Sequence, residues 1–219
     1  MKKLHLTAAL VAAMAPGVAL AQSADLTVIG RIVPTACTPT FTGGNVVDLG
    51  GISAGSLNDT TPTLRPEQDI ELTITCDAPA RIDVRATDNR RATLALNAAI
   101  PGASMYTASF GLGAVGTTNI GVYALRLGVP TQDGGTAVML QKQYASGTWS
   151  APDTAFLRLF GHSAHFSHSV GASPAGGPAA ATVHTIPLSV VPSIAPGDTL
   201  PLTAEIPIDG SMTFDIVQL

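Results

Sequence analysis

The chain has 219 residues, of which 12% are charged and 46% hydrophobic, a balance that excludes a disordered polymer. With 11 Lys and Arg against 15 Asp and Glu the net charge is −4, which argues against nucleic acid as a partner, because phosphate binding needs clustered basic residues. The 22 Gly and 16 Pro fit short strands and many turns better than helices.

Residues 1–21 read as a signal peptide. Lys2 and Lys3 supply the positive start, "LTAALVAAMAPGVAL" the apolar middle, and Ala19-Leu20-Ala21 the small residues of a cleavage site. The apolar run is too short, and too broken by Pro16 and Gly17, to span a bilayer. Its design is that of a bacterial export signal, so the mature chain is expected to start at Gln22 and to carry nine basic against fifteen acidic residues.

"DLTVIGRIVPTACTP", Asp25 to Pro39, opens the mature chain with apolar–polar alternation, the period of a strand. Cys37 ends it, and Cys76 is the one other cysteine. Two cysteines in an exported chain most simply form one disulfide, with two separate buried thiols as the alternative. Closing that loop stabilises a fold by about 4 kcal/mol on the chain-entropy account. Both sulfurs are expected between the sheets.

Five further segments alternate. "QDIELTITC" puts Ile70, Leu72, Ile74 and Cys76 on one face, and "RIDVRAT" does the same with Ile82, Val84 and Ala86. "VYALRLGV" aligns Tyr123, Leu125, Leu127 and Val129. "TLPLTAEIPID" aligns Leu200, Leu202, Ala204, Ile206 and Ile208, and "SMTFDIVQL" closes the chain with Met212, Phe214 and Ile216. Turn signals separate them: "TGGN" at Thr42, "DGG" at Asp133, "APGD" at Ala195, and Asp209-Gly210, a tight-hairpin candidate. "GASPAGGPAAA", Gly171 to Ala181, is a loop within the domain, since strand patterns resume after it. One domain, an all-β sandwich, is the expectation.

Several patterns resemble chemistry. "GLGAVG", Gly111 to Gly116, fits the dinucleotide fingerprint, with Asp133 near the place of a ribose-binding acid. That motif needs a helix after its third glycine, and "TTNIGVYALRLGV" is β-branched and alternating. "GHSAH" around Ser163 lacks the second glycine of a nucleophile elbow. His162, His165 and His168 are three apart, which unites them on a helix but sets neighbours on opposite faces of a strand; a strand needs no metal here. Asn58 heads a sequon that reads as a turn. No catalytic constellation and no cofactor motif remains, so the chain is not expected to be an enzyme.

"GRIVPTAC", Gly30 to Cys37, the second cysteine at the end of an alternating strand, and the closing "LTAEIPIDGSMTFDIVQL" together carry a resemblance. With "FGLGAVGTTNIGVYALRL", they make the chain resemble the subunits of chaperone–usher fimbriae, within them the fimbrial-like exported proteins grouped as a domain of unknown function. The resemblance implies an immunoglobulin-like (pilin-type) β-sandwich over residues 37–219 that lacks its last strand. It implies that a periplasmic chaperone fills the resulting groove, that an outer-membrane usher handles the subunit, and that the N-terminal extension of a neighbouring fimbrial subunit then replaces the chaperone by β-augmentation. Residues 22–36 are then the candidate donor segment, with Ala24, Leu26 and Val28 inserted. Met212, Phe214, Ile216 and Leu219 of the last strand contact chaperone or donor. The location implied is the periplasm in transit and then the cell surface. Two other readings stay open: a fimbrial tip adhesin stacking Tyr106, Tyr144 and Trp149 on host glycans, and a self-complete periplasmic sandwich.

Overall fold

The computed structural model describes residues 26–32, 35–144, 147–161 and 164–219. Eight strands of five or more residues run β1 Cys37–Phe41, β2 Gln68–Ala80, β3 Ile82–Asp88, β4 Gly121–Leu127, β5 Val138–Gln143, β6 Ala164–Gly171, β7 Ala181–Ile194 and β8 Met212–Gln218. They form two antiparallel sheets, one in the order β1-β2-β7-β4 and the other β5-β6-β3-β8. The fold is an all-β sandwich with one disulfide. The expected signal segment, residues 1–21, lies outside the described residues, as does Ala24.

Alternation translates directly into the core. Leu72, Ile74 and Cys76 of β2, Ile82, Val84 and Ala86 of β3, and Leu125 of β4 are all buried between the sheets. Val129, expected on the same face as Leu125, falls beyond β4 and is exposed. β7 is the spine of the larger sheet, pairing β2 along one edge and β4 along the other. It carries two prolines, which a central strand ordinarily forbids. Both sit where no ladder bond is lost. The Pro187 carbonyl accepts from Gly128 N at 2.8 Å, just past the end of β4. The Pro192 carbonyl accepts from Arg65 N at 2.9 Å, just past the two-residue strand Thr63–Leu64. Each missing N–H therefore faces a loop rather than a strand partner.

The disulfide joins Cys37 to Cys76, which stand directly opposite each other on β1 and β2. It therefore ties two neighbours within one sheet rather than the two sheets to each other, because β1 is an edge strand that, among the described residues, pairs with β2 alone. Cys76 is buried and Cys37 only half-buried.

A second expectation is corrected at the other end of the chain. Residues 200–208 do not form a strand: after a turn at Leu202–Thr203, residues 205–210 carry no regular structure. Pro201 and Pro207 remove two donors, and among the described residues no strand pairs with the segment to reward the alternation. Asp209-Gly210 is consequently not a hairpin. Gly210 is there for close approach: a Cβ would lie 3.1 Å from the Tyr123 ring and 3.2 Å from Leu112.

"GLGAVG" is strand and hairpin. Phe110–Gly111 pairs with β4, and Ala114–Val115 pairs with Thr118–Asn119. Asp133, the acid that resembled a ribose ligand, accepts from the backbone of Thr182 and Val183 and so fixes the entry into β7.

Candidate functional site

The site is built on what the two sheets leave uncovered. β1 is an edge of one sheet and β8 an edge of the other, and among the described residues no ladder joins them. Between them lies a groove of about 640 Å³. Its floor is apolar, made by Ile70, Leu112, Tyr123, Leu125 and Val190. One flank is Pro39 and Phe41 of β1 with the unpaired run 44–49; the other is residues 208–211 with Met212 and Phe214 of β8. A second groove of about 590 Å³ continues from it, sharing Val46, Val47, Leu49 and Ile208 and reaching Ile52, Leu57, Leu200 and Leu202.

Burial records the missing cover. On β3, in mid-sheet, the inward residues Ile82, Val84 and Ala86 are 0–1% exposed. On β8 the inward residues Met212, Phe214 and Ile216 are only half-buried, alternating with exposed Thr213 and Asp215. Phe41, Val47, Ile70, Ile206 and Ile208 are also half-buried. Apolar side chains left in this state on one seam make it a place for further burial. Two contacts narrow the seam. The Phe41 and Phe214 rings meet edge-on at 5.5 Å between centroids, and the Gln218 amide donates to the Thr35 carbonyl.

One flank is pinned at its base by charge. Asp209 N donates to the Leu112 carbonyl, and its carboxylate pairs with Arg90 at 2.7 Å. Asp88 accepts from Arg90 N and Gly111 N, at 2.8 and 3.0 Å. Burial and the Asp88 charge push the Tyr123 phenol well above its ordinary range, so it stays protonated on the groove floor.

Of the sequence-derived candidates, the structure brings Met212 and Phe214 into the groove and leaves Leu219 exposed at the chain end. Leu26 and Val28 lie in a separate unit from the sandwich and carry no strand; they are 89% and 86% exposed. His165 and His168 do not come together. His165 is exposed, His168 is wholly buried, and His162 lies outside the described residues, as does Ser163. Nor do the three aromatics share a surface contact: Tyr144 meets Phe160 and His165, whereas Trp149 sits under the Lys142 ammonium at 4.6 Å. No group of three or more metal-ligating side chains occurs among the described residues.

Sequence reasoning missed the flank at 44–49. Val46, Val47 and Leu49 in "VVDLGG" were its signal, apolar residues where glycines announce a loop.

Residues 26–137, which include β1 to β4 and the first flank, match the family described as Protein of unknown function (DUF1120). Protein GltF of Escherichia coli (strain K12) is 31% identical over 251 aligned positions, which cover 100% of this chain and 99% of that protein. Two matches of this extent, one to the family and one to a full-length relative, place the chain in the DUF1120 family.

Proposed function

We propose that this chain is an exported, non-enzymatic structural subunit of a bacterial surface fimbria, an immunoglobulin-like pilin-type sandwich short of one strand. In this reading it is completed first by a periplasmic chaperone at an outer-membrane usher, then by the N-terminal extension of the next subunit. The observation that carries it is the apolar groove between the first and last strands, whose inward side chains are half-buried on β8 and fully buried on β3. A strand added there supplies main-chain hydrogen bonds to two edges and side chains to the floor. It also removes an edge that otherwise invites aggregation. Because donor and acceptor are different surfaces, the contact is head-to-tail and builds an open filament.

The donor side rests on Leu26 and Val28, exposed apolar side chains two positions apart, with Ala24 before them. The test is the double variant Leu26→Asp, Val28→Asp. Charges placed in an apolar groove without partners cost more than the burial they replace. The expected outcome is a folded, disulfide-bonded monomer that forms no fibres, read by circular dichroism and fibre yield. Normal polymerisation would show that the extension is not the donor.

A second reading, the self-complete periplasmic sandwich, is favoured by the Phe41–Phe214 contact and by the Gln218 side chain reaching Thr35, which already narrow the seam. In that case the double variant unfolds as a monomer, because the extension pairs within its own chain.

A further inference from the structure

The segment between Leu200 and Asp209 is fastened at both ends, packs Ile206 and Ile208 against the core and carries no strand between them. Leu200 N donates to the Gly197 carbonyl, and Leu200 is buried. At the other end Asp209 is held by the Leu112 carbonyl and by Arg90. Between these anchors Ala204, Ile206 and Ile208 line the groove but belong to no strand, although their sequence alternates as a strand does. Local pattern and local structure disagree here, and such a conflict marks a place where a further partner resolves it.

We infer that residues 204–209 are a latent strand, a strap that becomes ordered and takes up a β-ladder only when residues 26–32 of a second copy lie in the groove. This rests on the donor-strand reading and extends it: the incoming segment is met by the strap as well as by β8. Three observations favour that occupant. Seven extended residues reach about 23 Å, enough to run the full length of the six-residue strap. The extension places Leu26, Val28 and, past Gly30, Ile32 on one face, as the strap places Ala204, Ile206 and Ile208. Charge is complementary as well. The lining of the two grooves includes Asp48 and Glu205, besides an Asp209 already paired with Arg90, and no Lys or Arg, whereas residues 26–32 carry Arg31 and no acid.

The strap's backbone is the part to interrogate, since side-chain contact alone would leave it unladdered. Hydrogen exchange on the full mature chain is measured with and without a synthetic peptide of residues 22–33, whose binding is followed in parallel by isothermal titration. The expected result is slowing, by about tenfold or more on saturation, of those amides among Ala204, Glu205, Ile206 and Ile208 that face the incoming strand, Pro207 having none. Ala204→Pro and Glu205→Pro each remove one donor, on opposite lateral sides of the strap. One of the two is expected to weaken peptide binding about tenfold, a single lost hydrogen bond, while leaving the free chain's melting unchanged. A peptide that saturates the chain while the strap exchanges as before, with both proline variants binding normally, overturns the latent strand and leaves the donor reading standing. A peptide that does not bind overturns both.

Discussion

His168 shows how completely position decides the chemistry of a side chain. Its ring is wholly buried on β6, with Nε2 3.1 Å from both the backbone nitrogen and the carbonyl oxygen of Arg158. Burial, aided by the Arg158 charge against the carbonyl's opposing pull, pushes it down to about 4. The unfolded chain takes up that proton near pH 6.5 and the folded chain only near 4. Stability from this group is therefore fully present above 6.5 and falls as the pH drops through the window between the two, by on the order of 3 kcal/mol. Urea midpoints at pH 7.5 and pH 4.5 measure the loss, and His168→Gln is expected to flatten that part of the profile. Gly111 is decided by space instead. A Cβ there would sit 2.3 Å from the Arg90 carbonyl and 2.4 Å from Thr93 Oγ1. Gly111→Ala is expected to destabilise by about 1–3 kcal/mol, read as a lower thermal midpoint, and to loosen the base of the groove's flank.

Among the elements, β1 depends most on a covalent tie. It is five residues long, has β2 as its one strand partner among the described residues, and forms one side of the groove. The Cys37–Cys76 bond fixes its register against β2 and keeps the flank in place when nothing fills the seam. Cys37→Ser with Cys76→Ser is expected to lower unfolding stability by about 4 kcal/mol, measured in urea, and to release β1 first in hydrogen exchange. β8 stands differently. It pairs with β3 along its whole length, from Met212↔Asp88 to Gln218↔Ile82, so its ladder is complete on one side and its apolar face half-covered on the other.

On the donor-strand proposal, the seam makes the stability of the whole molecule conditional on occupancy. A ligand that binds only the folded chain raises its stability with concentration, by about 2.7 kcal/mol at a hundred times its dissociation constant. The peptide of residues 22–33 is expected to produce that shift in a urea titration, and the same peptide carrying Asp in place of Leu26 and Val28 to produce none. The unfilled chain is correspondingly expected to associate as its concentration rises, detected by light scattering, and the wild-type peptide to suppress this.

The sequence by itself determined the elements whose side-chain period coincides with burial. "QDIELTITC", "RIDVRAT" and "SMTFDIVQL" became β2, β3 and β8 because alternate residues had a core to face. It also determined the absence of a nucleotide helix after "GLGAVG", since β-branched residues followed it. The tertiary structure alone decided which strands became edges. That choice made Cys37–Cys76 a tie within one sheet and left Phe41, Ile70 and Phe214 around an open groove. It also decided the fate of "TLPLTAEIPID", where the period was right and no strand came: a ladder needs a neighbour as well as a pattern, and pairing between distant segments is not written in either one alone.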